Sequence, residues 1–293
     1  MTRVAGALPG GIARSRAGGR RPCAKSPGER WRNWLFIGAL HALPVAAILQ
    51  GTTRADWLAF AVLYPASCVG IGMGLHRYFA HRSFRTSRAF QLALAVFAGT
   101  AFTDPIGFAG KHRLHHRHSD TPADVHSPSM GFWSCWFGSL IDDGCDETAV
   151  RAMTPDLARC PELVWLRRYF WVPGVAVGAL TWCLGGFSMF AVAFCGSRVL
   201  MLNLASALNY FCHRLGTRRY ATPDRSTNNV LVALLTFGEG WHNNHHHYPA
   251  SARAGFFWWE IDPFYYAIRL LAWLGIVWDV REVPDRVRYA HVD

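Results

Sequence analysis

The stretch A-D-W-L-A-F-A-V-L-Y-P-A-S-C-V-G-I-G-M-G-L, residues 55–75, runs directly into H-R-Y-F-A-H, residues 76–81. The apolar part carries one charge, Asp56, near its start. It has the roughly 20 residues that a helix needs to cross the hydrocarbon of a bilayer. Two histidines at its very end place metal-ligating side chains at a membrane boundary.

Working outward, three further apolar blocks have comparable length: Asn33–Gln50, with Pro44 as a tolerated kink, Tyr169–Gly186 and Phe187–Leu208. The links Gly51–Arg54 and Gly185–Gly186 are so short that the four blocks pair into two helical hairpins. Arg198 falls inside the fourth block. An arginine there is functional or reaches for an interface, and snorkelling is the expectation. The block Ala89–Phe102, about 14 residues, is short for a span and reads as an interfacial or re-entrant helix. With four spans, the N-terminus, the segment after the second span and everything after the fourth lie on one side. If Ala89–Phe102 crossed instead, it would separate His76 and His81 from His112–His116. The expected fold is all-α and integral to the membrane: four transmembrane helices in two hairpins, with a helical cap on the cytoplasmic side carrying a di-metal site.

Composition agrees. The chain has 293 residues, 51% of them hydrophobic, a net charge of +11 and a mean hydropathy of +0.09. Arg3, Arg14, Arg16, Arg20, Arg21, Lys25, Arg30 and Arg32 crowd the start against Glu29. Such an arm could bind nucleic acid. The apolar run that follows makes it the cytoplasmic flank of a first span instead, so the bilayer and not nucleic acid is the expected partner. Residues 1–32 are read as a disordered basic arm, 33–280 as the membrane domain and 281–293 as a tail. Both termini and the metal site are placed in the cytoplasm. Ser119–Arg168 is a cytoplasmic insert, and Phe256-Phe257-Trp258-Trp259 and Tyr265–Trp278 lie at the interface. The eight cysteines form no CxxC pair, and most of them read as small buried hydrophobes.

Most of the fourteen histidines fall into groups. H-R-Y-F-A-H holds His76 and His81. H-R-L-H-H holds His112, His115 and His116. H-N-N-H-H holds His242, His245 and His246. N-Y-F-C-H, at the end of the fourth block, holds Asn209 and His213. Residues at i, i+3 and i+4 share a helical face, so each triplet can aim at a common point. His76 and His81, at i and i+5, need a helix end or a local unwinding to meet. Nine histidines are too many for one metal and natural for two. Imidazole suits zinc, copper, iron and nickel alike. Iron is favoured once the substrate is taken to be an apolar molecule in the membrane, because cutting an unactivated C–H bond needs an oxygen-activating metal. His41 and His291 are ordinary residues on this reading, and His118, His126 and His247 flank the ligands. Glu239, in G-E-G-W-H, reads either as a carboxylate orienting a ligand imidazole or as a helix-start residue.

These motifs, H-R-Y-F-A-H-R-S-F, H-R-L-H-H-R-H-S-D followed by D-V-H-S-P, N-Y-F-C-H and G-E-G-W-H-N-N-H-H-H-Y-P, resemble those of the membrane-bound fatty acyl desaturases. The likeness is to the acyl-CoA Δ9 (stearoyl-CoA) type and its bacterial and plastid relatives, over roughly residues 33–280. The resemblance implies two iron ions held by His76, His81, His112, His115, His116, His213, His242, His245 and His246, with Asn209 acting through a water. It implies O2-dependent removal of two hydrogens from an acyl chain lying in a kinked apolar tunnel, giving a cis double bond. The chain would be carried by CoA, an acyl carrier protein or a lipid. Electrons would come from a separate donor such as cytochrome b5 or a ferredoxin, docked on the basic face. One departure concerns the carrier: Phe108 and Gly110 stand where the acyl-CoA enzymes have a Trp and a basic residue that meet CoA. Substrate-binding residues are otherwise unassigned. Two other functions compete. A hydroxylase or acetylenase would use the same di-iron platform. A membrane metal transporter would place ionisable ligands near the midplane of its spans, which here are almost free of them.

Overall fold

The computed structural model describes residues 25–121, 123–124, 131–141 and 146–290. His126, His291, Cys23 and Cys145 lie outside the described residues. The structure is mainly helical, and three of its helical runs are long and apolar enough to cross a membrane: Pro27–Gln50 (α1), Arg54–Ala80 (α2) and Val172–Phe211 (α7). Between α2 and α7 come Arg88–Gly99 (α3), Pro105–His118 (α4), Glu147–Ala152 (α5) and Pro161–Arg168 (α6). After α7 come Val230–Leu235 (α8), His242–His247 (α9) and Pro263–Trp273 (α10). The strands β1 (Arg85–Thr86) and β2 (Val277–Trp278) pair antiparallel, Arg85 opposite Trp278.

Helix α1 starts at Pro27, closed by a reciprocal capping box between Ser26 and Glu29. Residues 27–32, read from sequence as part of the arm, are therefore helical. A second capping box, Thr53 with Asp56, opens α2 after the turn at Gly51, whose φ of 107° suits glycine. In α7 the helix breaks at Gly185–Gly186, with Gly186 at φ 62°. The chain doubles back there. A Cβ on Gly178 would stand 3.2 Å from the Phe194 ring, whereas sixteen residues of straight helix would separate the two by about 24 Å. The two turns meet: the Ser188 hydroxyl donates to Asp56 Oδ2 at 2.5 Å. Both helical hairpins thus turn at the same end of the bundle, with the histidines at the other.

The outward faces of these helices are apolar and bare. Leu35 is 69% exposed, Val62 67% and Leu184 70%. In water such a surface would be a large patch in need of cover, and in a bilayer the acyl chains cover it.

Helix α3, a shorter apolar helix of 12 residues, lies along the end of α2. Gly70 lets the backbones touch, since a Cβ there would sit 2.6 Å from the main chain of Phe97 and Ala98. Leu75, Phe79, Leu94, Ala98, Ala109, Leu163, Phe264 and Ile268 form the main core, joining α2, α3, α4, α6 and α10 beneath the histidines. The run 265–278, expected to be one amphipathic segment, ends its helix at Trp273, turns at Gly275 (φ 71°) and closes as β2.

Arg198 does not snorkel, which corrects the sequence reading. It is 2% exposed. Its Nε donates to the Thr100 carbonyl at 3.2 Å, one terminal nitrogen donates to Ser197 Oγ at 2.7 Å, and its guanidinium sits 4.3 Å from the centre of the Phe194 ring. The tip that follows α3 supplies the polar partner that the arginine would otherwise have sought at an interface. Cys68, Cys135, Cys195 and Cys212 are buried, while Cys183 is exposed.

Candidate metal centre

The histidines converge by local rules. The last turns of α2, Val69–Ala80, are π-helical, and His81 N–H donates to the His76 carbonyl at 3.2 Å. The wider turn is what brings residues five apart onto one side. Helix α4 is started by Asp104, whose carboxylate accepts from Gly107 N–H at 2.7 Å, with Pro105 next in line. The short α9 is fixed by its two asparagines, both fully buried. Asn243 Oδ1 accepts from Arg219 and Tyr220 N–H, and Asn244 donates to the Ala254 carbonyl and to Glu260. Asn228 Oδ1 accepts from the backbone N–H of both. The two asparagines of H-N-N-H-H are anchors, and the spacing of that motif is a division between ligands and fasteners.

Two groups of imidazoles result. His76, His81, His112, His116 and His245 form one, and His115, His213, His242 and His246 form the other; within each, the ligand atoms lie within 4.8 Å of one another. Each triplet is split. Helix α4 sends His112 and His116 to the first group and His115 to the second. Helix α9 sends His242 and His246 to the second and His245 to the first. A triplet was expected to aim at one point; instead the i, i+4 pair shares a group and the residue between them reaches the other. His213 follows the end of α7, and Asn209 lies on its last turn.

Four of the nine imidazoles are oriented by carboxylates. Nδ1–H of His115 donates to Asp124 at 2.9 Å, that of His213 to Asp120 at 2.8 Å and that of His246 to Asp224 at 2.6 Å. His76 Nδ1 is in close contact with Glu239. A proton held on Nδ1 leaves Nε2 as a lone pair turned inward. Nε2 of His76 and His245 then stand 3.0 Å apart, those of His81 and His112 2.8 Å, those of His116 and His245 3.0 Å and those of His213 and His242 3.1 Å. His246 Nε2 is buried with no hydrogen-bond partner. Lone pairs facing each other at such distances ask for a cation between them. Nitrogens about 2.0–2.1 Å from a metal are themselves about 3 Å apart when adjacent. The donor set therefore fits metal ions, one per group.

Burial favours the neutral form of five of the nine imidazoles. Burial pushes His81, His116, His242 and His245 well below the usual imidazole range, with neighbouring imidazoles adding to it. Burial takes His246 down to about 4, against the pull of Asp224. Burial would raise Asp120 and Asp224, but the hydrogen bonds from His213 and His246 win and hold both carboxyls below their usual range. Neutral imidazoles and ionised carboxylates are what metal binding needs.

Of the residues flagged in sequence, Glu239 takes the orienting role. It also accepts from Arg77 Nε at 3.0 Å, and Arg77 pairs with Asp262 at 2.9 Å. His247 stacks on Tyr220 with ring centres 4.1 Å apart, away from both groups. His41 accepts from Asn203 at 3.0 Å within the helices. The sequence reading assigns no role to Asp120, Asp124 or Asp224, although Asp120 and Asp124 stand in the motifs that begin at His112. Nothing local marked Asp224, which lies far along the chain from every histidine but His213.

A helical protein with apolar, membrane-length helices and a histidine-rich group able to bind metal at one end is the class that fold and site define. The chain belongs to the fatty acid desaturase family, whose model matches residues 55–278. It is 37% identical over 259 residues to the sn-1 stearoyl-lipid 9-desaturase of Anabaena variabilis, covering 87% of this chain and 95% of that one. It is 34% identical over 286 residues to the acyl-CoA C20 Delta5-desaturase of Anemone leveillei, covering 92% and 91%. With the sn-2 palmitoyl-lipid 9-desaturase of Nostoc sp. (strain 36) it shares 34% over 266 residues, covering 89% and 93%. The chain is thus an oxidoreductase of fatty acid metabolism.

Proposed function

We propose that the protein is an O2-dependent desaturase that places a cis double bond in a saturated acyl chain, using two iron ions. His76, His81, His112, His116 and His245 would hold one iron, and His115, His213, His242 and His246 the other, with Asn209 near the second. When bound, the irons supply the oxygen-activating chemistry that removing hydrogen from an unactivated methylene requires. The protein's own part is to gather nine imidazoles into two groups, to orient four of them with carboxylates and to favour by burial the neutral form of His81, His116, His242, His245 and His246. The observation that carries this reading is the convergence of nine imidazoles into two groups, four of them oriented by carboxylates, at one end of helices that suit a bilayer. In this reading α1, the apolar part of α2 and the two arms of α7 make four spans, with the hairpin turns outside and the histidines and both termini in the cytoplasm. Electrons come from a separate small redox protein.

The structure bears on the carrier. A Cβ at Gly110 would meet Val150 Cγ1 at 2.6 Å, so the position where acyl-CoA enzymes place a basic residue is closed by α5. This favours a carrier other than CoA, such as a membrane glycerolipid. The test is expression in a host lacking the activity, with lipids analysed by mass spectrometry and double bonds mapped. Acyl chains lighter by two hydrogens support the reading. A gain of one oxygen with no such loss would mean a hydroxylase.

A further inference from the structure

We propose that the two metal positions are unequal in affinity, and that Asp120 and Asp224 make the group of His115, His213, His242 and His246 the tighter one and the first to fill. This rests on the reading that both groups bind metal.

The two groups see different charge behind their ligands. In the first, the carboxylate that contacts an imidazole is Glu239, on His76. That same carboxylate is shared with Arg77, whose Nε lies 3.0 Å and whose terminal nitrogen 2.9 Å from Glu239 Oε1. Arg77 is 2% exposed, so its positive charge is not dispersed into water. A second guanidinium, Arg113, lies beside this group: its residue sits between His112 and His115 on α4, and it donates to the Ala80 carbonyl, next to His81, at 2.9 Å. Asp156 pairs with Arg113 at 2.8 Å. Glu239 and Asp156 are thus each matched by a guanidinium.

The second group is different. Asp120 holds His213, and its other partner is the backbone N–H of Arg225 at 2.8 Å. Asp224 holds His246, and its other partners are Ser226 N–H at 2.9 Å and the Thr222 hydroxyl at 2.9 Å. All of those additional donors are neutral. Among the described residues no guanidinium or ammonium pairs with Asp120 or Asp224. Asp124 adds a third carboxylate on His115. A carboxylate behind a histidine raises the basicity of the ligating nitrogen, and its uncancelled charge attracts the dication directly. Loss of such a partner typically lowers metal affinity by about 10–100-fold. With Asp120 and Asp224 matched by no cation among the described residues, this group is the stronger site, although it has four imidazoles against five.

The experiment is a Co2+ titration of the metal-stripped full-length protein in detergent, followed by cobalt absorbance with a competing chelator. Two steps are expected, one cobalt each, with dissociation constants at least about tenfold apart. Asp120→Asn or Asp224→Asn should weaken the tighter step by about 10–100-fold and leave the weaker one in place, while Glu239→Gln should weaken only the second step. His213→Ala and His81→Ala identify the steps without touching a carboxylate: the first should abolish the tight step and the second the weak one. Two equivalent cobalts bound in one step would overturn the proposal. So would a tight step that survives His213→Ala and disappears with His81→Ala. A protein that binds no cobalt at all would overturn the metal-binding reading itself, a different outcome from equal affinities.

Discussion

Arg77 shows how much one side chain at this site carries. It is buried, it bridges Glu239 and Asp262, and it donates to the Ala252 carbonyl at 2.7 Å, tying the end of α2 to the loop before α10. Replacing it with Gln would leave two buried carboxylates without their cation. The expected loss is about 3–5 kcal/mol, read as a fall in thermal midpoint of the detergent-solubilised protein. His245→Ala should remove iron from the first group and abolish activity, whereas His247→Ala, which breaks only the stack on Tyr220, should keep both irons; metal analysis of the two purified variants checks this. The histidines also set a pH dependence. Burial lowers the folded pKa values of His81, His116, His242, His245 and His246 below the ordinary 6.5, to about 4 for His246, so the unfolded chain binds more protons between these values. Stability of the metal-free protein is therefore full above about pH 6.5 and falls as pH drops toward 4. Unfolding at pH 7.5 and 5 should show the lower midpoint at 5. All nine histidines were legible in the sequence because their spacing is local. Asp224 was not, because what makes it matter is a contact with His246 created by the tertiary fold.

At the scale of elements, the placing of the histidine-bearing end of α2 depends on how closely α3 packs against it. Gly70 is the contact point, with Phe97 and Ala98 main-chain atoms 2.6 Å from where a Cβ would stand. Gly70→Val should push α3 off α2 at a cost of about 1–3 kcal/mol and misalign His81 against His112. The measurable result is a lower thermal midpoint together with fewer irons per chain. The hairpins could be read from sequence because the links at Gly51 and Gly185–Gly186 are too short for anything else. The path of α3 was half legible: its length ruled out an ordinary span, but only packing shows that it lies against the π-helical end of α2. The snorkelling expectation for Arg198 failed for a related reason. Sequence places a charge in an apolar run, but it does not show the Thr100 carbonyl arriving from another element to receive it.

For the molecule as a whole, the bundle has a bare apolar girdle, two turns at one end and nine imidazoles at the other. A fluorescent protein that matures only in the cytoplasm, fused after Asp293, should fluoresce; the same protein inserted at Thr52 should not. Fluorescence at both positions would place the turns of the hairpins on the wrong side. Everything proposed about chemistry depends on what the imidazoles hold. The most direct measurement is the metal content of the purified, active protein. Two irons per chain, reduced in His115→Ala and His245→Ala but not in His247→Ala, is the predicted result. One exchangeable zinc per chain, with iron absent from active protein, would contradict the account.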